Sequence, residues 1–252
     1  MQGTTEADAR EQPRPPRRWE SWAPVALVRA AHPKLAVLSA VGLAGAAALS
    51  GRSTREVVAV LVTVLVGQAV LGWHNDLVDH RRDAFHDRQR KPLVHGSLEP
   101  GTVWFWLAVG VLFVVPLSVF HGVWAGLAYL GALLVGVLGN VVLRRGWLSW
   151  LPWAVSFALY PAFLAYGGWA GQGREAPPEV AVTVLAALLG VCVHFLVALP
   201  GLVVDHQDDA RHLPLRVALR TGTPRLLWIS LVATALVLAG LLVAGARVGL
   251  TQ

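Results

Sequence analysis

The sequence predicts an all-α, polytopic membrane protein, a helical bundle with about seven transmembrane helices, on three observations. Of its 252 residues 55% are hydrophobic and only 14% charged, with a mean hydropathy of +0.56, whereas soluble domains carry about 25% charged residues. The apolar residues are gathered into blocks of about 20, the length that crosses a hydrocarbon core. The basic residues fall in the gaps between those blocks and concentrate in alternate gaps, the pattern that fixes orientation in a bilayer.

Taken in order, the chain opens with "MQGTTEADAREQPRPPRRWESW", polar and rich in Pro and Arg, which reads as a disordered basic cytoplasmic tail over residues 1–28. No cleavable signal peptide is visible, and residues 29–252 read as a single transmembrane domain. Spanning segments are expected at 34–50, 57–75, 102–120, 122–143, 148–169, 180–204 and 226–246. The first is short and rich in small residues ("VGLAGAAALS"), which suits close helix packing. The second ends in an acidic run. Pro116 interrupts the third, Pro152 and Pro161 the fifth and Pro200 the sixth; in a membrane bundle neighbouring groups re-satisfy the carbonyls such prolines free. Arg144 and Arg145 stop the fourth, and a second acidic run follows the sixth. Trp73, Trp104, Trp147, Trp150, Trp169 and Trp228 lie near segment ends, where an aromatic belt places them.

With the N-terminus in the cytoplasm, 17 of the 21 Lys and Arg residues face inward and only Arg52, Arg55, Arg174 and Arg247 face outward. The formal charge of +6 is therefore a topology signal, and nucleic acid is not an expected partner. The single cysteine, Cys192, excludes an intrachain disulfide and a cysteine-based metal site, and in its apolar run it reads as a small buried hydrophobe.

The two acidic runs carry the chemistry. In "HNDLVDHRRDAFHDRQRKPLVHGSL", Asn75, Asp79 and Asp83 stand at i, i+4 and i+8 if the second segment continues as a helix, and Asp76, Asp79, Asp83 and Asp87 follow the neighbouring stripe. In "VVDHQDDA", Asp205, Asp208 and Asp209 stand at i, i+3 and i+4. Like charges so spaced repel by a few tenths of a kcal/mol per pair. Carboxylates at a helix C-terminus also oppose its dipole by about 0.3–1 kcal/mol each. Two such clusters on one membrane face call for cations, and hard oxygen ligands without cysteine select Mg²⁺ or Ca²⁺. Neutralisation of the first cluster by its own Arg81, Arg82, Arg88, Arg90 and Lys91 is the plainer alternative. Matching spacing on two segments favours the metal. His194, inside the sixth segment, reads as a hydrogen-bonded core histidine.

"NDLVDHRRD", an N-D-x-x-D-x-x-x-D pattern, followed by "RQRKPLVHG", resembles the first signature of the UbiA superfamily of intramembrane prenyltransferases. "DHQDDARHLPLRVALRTG" resembles the second, and "LVRAAHPKL" looks like the family's first helix. The resemblance runs from about Arg29 to Leu250. It implies a helical bundle around a central cavity open sideways to lipid, with Mg²⁺ bridging an isoprenyl diphosphate. The metal ligands so implied are Asn75, Asp76, Asp79 and Asp83, facing Asp205, Asp208 and Asp209. Asp79, Asp83, Asp205 and Asp209 are the catalytic candidates. Arg88 and Lys91 are expected on diphosphate oxygens, Arg29 near acceptor or diphosphate, and Arg144 in a diphosphate role. Aromatic faces such as Phe157, Tyr160 or Tyr129 could stabilise a carbocation, with ordinary packing the plainer role for each.

The chain also departs from the family pattern. It has seven segments where nine are common, which points to a shorter variant, a homo-oligomer that completes the cavity wall, or impaired activity. Lys91 stands where arginine is common. Leu213, Pro214 and Leu215 stand where a glycine and a basic residue usually follow the second motif, with Arg216 one position late.

The function implied is Mg²⁺-dependent transfer of an isoprenyl group to an aromatic or other lipophilic acceptor, within the cell membrane and with the site on the cytoplasmic side. A membrane terpene cyclase, or a transferase using a lipid phosphate, would share the same metal clusters. A divalent cation carrier is disfavoured, because carriers place ionisable residues near the bilayer midplane and no Asp, Glu, Lys or Arg falls mid-segment here.

Overall fold

The computed structural model describes residues 22–86, 91–168 and 177–248, which are helical apart from short connections. Asp87, Arg88 and residues 1–21 of the expected tail lie outside the described residues. Among the described residues six helices are long and apolar enough to cross a membrane, or seven if a bent pair counts as one span.

The bent pair is α1, Ala23–Ala30, and α2, Pro33–Leu49, which meet at 64°. His32 makes the corner in the left-handed region (φ 51°), and Pro33 starts the new helix, where its missing N–H costs nothing. Ala26 and Ala30 of α1 pack on Leu93, Leu98 and Val103, while the Trp73 indole donates to the Leu27 carbonyl at 2.9 Å. The buried face of α2 is Ala36, Ala40, Ala44 and Ala47. Such a stripe of small residues lets backbones approach closely.

Helix α3, Thr54–Phe85, has 32 residues. At about 1.5 Å per residue it is about 48 Å long, more than the roughly 30 Å of hydrocarbon it has to cross. Its last turns therefore project beyond the apolar layer, and they carry the first acidic motif. A capping box starts it: Ser53 Oγ accepts from Glu56 N, and Glu56 Oε2 accepts from Ser53 N at 3.0 Å. Gly72 lets α3 pass the corner before α2, since a Cβ there would sit 2.6 Å from the Ala31 backbone.

Next come α4, Pro100–Val119, and α5, Val123–Leu138, which continues through a π-helical turn at Gly139–Leu143. A 3₁₀ turn at Trp147–Trp150 leads into α6, Leu151–Ala165. Helix α7, Val180–Ala198, breaks at a 3₁₀ turn containing Pro200 and resumes as α8, Leu202–Gln207. An amphipathic helix α9, Leu213–Thr221, precedes the last span, α10, Thr223–Val248. Of the four interior prolines, Pro116 and Pro161 lie within helices, whereas Pro152 sits in the first turn of α6 and Pro200 marks the α7–α8 break. Cys192 is half-buried rather than buried.

The spans pack in chain order, α2 on α3 and so on through α7, with α10 on α7. Val60, Val64, Val114, Tyr129, Leu133 and Phe163 fill the centre. At the membrane face opposite the acidic motifs, the Arg52 guanidinium donates to the carbonyls of Leu164 and Gly167, at the end of α6. Beside it His121 is buried, 3.0 Å from Thr63 Oγ1. Burial, reinforced by the charge of Arg52, pulls the His121 imidazole below its ordinary range.

Candidate active site

A cavity of about 300 Å³ opens between the spans, and the two acidic motifs meet at one end of it. Its walls are mainly apolar, with Leu35, Leu71, Trp153, Phe157 and Tyr160 among them. At the acidic end stand Asn75, Asp79 and Arg82 from α3, Arg144 from the end of the π-helical turn, and Asp205 from α8.

Helix geometry decides which motif residues reach the cavity. At about 100° per residue, Asp79 lies about 40° from Asn75 and Arg82 about 60° from Asp79, so the three share a wall. Asp83, eight residues from Asn75, has drifted by about 80°. It lies instead within about 20° of Asp76, seven residues back. Asp76 and Asp83 are thus paired on another face, 3% and 1% exposed, and neither lines the cavity. The single stripe of carboxylates expected from the sequence is split in two.

Lys91 serves the second face. Its Nζ lies 2.8 Å from Asp76 Oδ1 and 2.6 Å from Asp83 Oδ2, and His32 Nε2 adds a 3.0 Å contact to Asp76. Lys91 does not line the cavity, nor does Arg29, which is half-buried on α1. Both were expected at the substrate.

Each acidic residue in the cavity is likewise matched by a cation. Arg144 is ion-paired with Asp79. Arg82 reaches across to the second motif, with Nη2 2.5 Å from Asp205 Oδ1 and Nε bonded to Asp208. His86 Nε2 approaches Asp208 to 2.7 Å. Burial works against the Asp208 charge, but the hydrogen bonds from Arg82 and His86 outweigh it and hold the carboxyl below the usual range. Asp205 Oδ2 is 3.0 Å from His212 Nε2, and His212 Nδ1 accepts from Leu215 N, capping α9. That backbone bond leaves the His212 proton on Nε2, pointed at Asp205. Asp209 is exposed, in the left-handed region at φ 52°, and away from the cavity.

The seven-residue ligand set implied by the motifs is therefore not assembled. Asn75, Asp79 and Asp205 share the cavity, while Asp76, Asp83, Asp208 and Asp209 do not line it. Among the described residues no three His, Cys, Asp or Glu side chains stand close enough to hold a metal ion, because cations sit between the carboxylates. The donor chemistry nonetheless fits Mg²⁺: three hard oxygen donors at one end of the cavity, two from α3 and one from α8, with room for the water and phosphate oxygens that complete its shell.

Several wall residues carry no motif. Asn140, on the π-helical turn, lies 3.4 Å from His74 Nδ1. Gln68 donates to the Tyr160 hydroxyl at 3.3 Å. His194 is a hydrogen-bonded core histidine, 3.0 Å from Ser149 Oγ, and it also faces the cavity. Phe157 and Tyr160 line the cavity, whereas Tyr129 is fully buried outside its wall.

The same fold is found in solved structures. A UbiA homolog from Archaeoglobus fulgidus bound to DMAPP and Mg²⁺ matches with a TM-score of 0.64 at 18% identity, over 85% of this chain and 76% of that one. The GPP and Mg²⁺ complex gives 0.65 at 16%, with the same coverage. A Cd²⁺-bound form gives 0.60 at 18%, over 88% and 89%. No curated protein matches the chain. The model of the UbiA prenyltransferase family matches residues 35–251, which include both acidic motifs and the six long apolar helices from Thr54 onward. On that match this multi-pass membrane protein belongs to the UbiA prenyltransferase family.

Proposed function

We propose that this chain transfers an isoprenyl group from an allylic isoprenyl diphosphate to an aromatic or other lipophilic acceptor, within the membrane and with Mg²⁺. One observation carries the reading: Asn75, Asp79 and Asp205, from two distant motifs, converge with Arg144 at the end of an apolar cavity. Asn75, Asp79 and Asp205 would hold Mg²⁺, which when bound would stabilise the departing diphosphate. Arg144 adds fixed positive charge at the leaving group. Trp153, Phe157 and Tyr160 keep water from the allylic cation and offer it aromatic faces. Asp76, Asp83 and Lys91 act behind the site, holding the last turns of α3 to the loop that follows. The family match and the Mg²⁺ and prenyl diphosphates named for the A. fulgidus structures support the substrate class. The distribution of 17 basic residues against 4 supports a cytoplasmic site and N-terminus in the cell membrane.

The test is a product assay with purified protein, Mg²⁺ and five- to twenty-carbon allylic diphosphates, with and without hydroxyaromatic acceptors. The expected result is a prenylated acceptor, formed only with Mg²⁺. Cyclised hydrocarbon formed without acceptor would assign a terpene cyclase instead, and no turnover of any donor would remove the proposal.

A further inference from the structure

Arg82 belongs by sequence to the first acidic motif, yet its charge is spent on the second. Its guanidinium bridges Asp205 and Asp208, bonding one through Nη2 and the other through Nε. It is 18% exposed and lines the cavity. The loop after the second motif supplies no Lys or Arg to the cavity, only His212, which is held on Asp205 at 3.0 Å. Leu213, Pro214 and Leu215 are apolar, and Arg211 and Arg216 are exposed and do not line it. On the opposite wall Arg144 covers Asp79 in the same manner.

Two consequences follow from charge balance. Arg82 leaves its two carboxylates readily only when another anion accepts its charge, since a partly buried guanidinium without a counter-ion is costly. Conversely, Asp205 stays neutralised by Arg82 until a different cation is offered. Metal alone competes with Arg82 for Asp205, and diphosphate alone meets the charges of Asp79 and Asp205. Together they offset one another, Arg82 re-pairing with diphosphate oxygens as Asp205 takes the ion, while Asp208 keeps its contact with His86.

We propose that Arg82 is an exchange contact: it neutralises Asp205 and Asp208 and passes to the diphosphate on binding, so that metal and diphosphate bind as a coupled pair. This rests on the function proposed above and assigns to α3 the diphosphate contact that the second-motif loop lacks. Coupling of this kind is reciprocal, each ligand raising the affinity of the other by the same factor.

The experiment is a set of equilibrium titrations of the purified full chain, wild type, Arg82→Gln and Arg82→Lys, with Mg²⁺ alone, inorganic pyrophosphate alone, and pyrophosphate at fixed free Mg²⁺. In the wild type the pair is expected to bind at least about 10-fold tighter than either ligand alone, a coupling of about 1.4 kcal/mol. In Arg82→Gln, Mg²⁺ alone should bind several-fold tighter because its competitor is gone. Pyrophosphate at fixed Mg²⁺ should bind at least about 10-fold weaker, so that most of the coupling disappears. Arg82→Lys, which keeps the charge if the glutamine variant does not fold, should fall between. Pyrophosphate affinity and Mg²⁺ affinity both unchanged in Arg82→Lys, or in a folded Arg82→Gln, would overturn the role of Arg82 alone. Absence of Mg²⁺-dependent pyrophosphate binding in the wild type would overturn the functional reading itself.

Discussion

Arg82 of α3 and Asp205 of α8, 123 residues apart in sequence, are joined at 2.5 Å. That pair brings the two acidic motifs to one cavity, and it does so with a cation between carboxylates that would otherwise repel.

If Asp79 and Asp205 both hold the metal, neither tolerates loss of its charge. Asp79→Asn and Asp205→Asn are each expected to lower turnover by at least about 100-fold, on the scale of losing one preorganised electrostatic contact in a transition state. Membrane insertion and gel-filtration behaviour should be unchanged. Steady-state assay of either variant at near-native rate would leave the motifs as solvated ends of helices.

Lys91 is expected to matter for stability. Its removal takes the ammonium from Asp76 and Asp83, 3% and 1% exposed, and leaves His32 on Asp76. Breaking a buried pair in this way costs about 3–5 kcal/mol, so Lys91→Met should lower the thermal midpoint by roughly 10 °C. A thermal shift of the detergent-solubilised protein measures it. A midpoint unchanged within a degree, with pyrophosphate binding lost, would return Lys91 to the substrate.

The far end of the bundle supplies a control. Arg52 holds the carbonyls of Leu164 and Gly167 at the end of α6, and charged hydrogen bonds contribute about 1.5–3 kcal/mol each. Arg52→Ala should therefore reduce stability by a few kcal/mol while leaving turnover of the surviving folded protein as it was. Lost turnover at full stability would mean that the two ends are functionally coupled.

His121 makes that end sensitive to acid. Its folded pKa lies below the unfolded value because burial, then the Arg52 charge, disfavours the imidazolium. A depressed pKa gives stability that is fully present above the unfolded value of about 6.5 and lost as pH falls through the folded one. The thermal midpoint should accordingly drop between pH 7.5 and pH 5, with a shallower slope in His121→Asn. An equal slope in the variant would place the acid sensitivity elsewhere.

The spans and both motifs were legible because each is written in local sequence. Apolar blocks of about 20 residues give the helices, and the continuation of α3 past Trp73 follows from its unbroken helical pattern. What the sequence withheld depends on phase and on distant contacts. Asp83 looks like a partner of Asn75 and Asp79, yet an eight-residue step turns it off their wall, and only the packed helix shows which face meets the cavity. Lys91 and Arg82 sit among several nearby basic residues, and nothing local says that one turns to Asp76 and the other crosses to Asp205. Asn140 left a faint trace, a lone amide ending an apolar run, and the corner at His32 left only the following proline.

The most direct test of a shared site uses Mn²⁺ in place of Mg²⁺, observed by electron paramagnetic resonance in the presence of pyrophosphate. One bound ion per chain with phosphorus hyperfine coupling is expected in the wild type, and its loss in both Asp79→Asn and Asp205→Asn. A phosphorus-coupled ion retained in either variant would mean that the two motifs do not hold one metal between them.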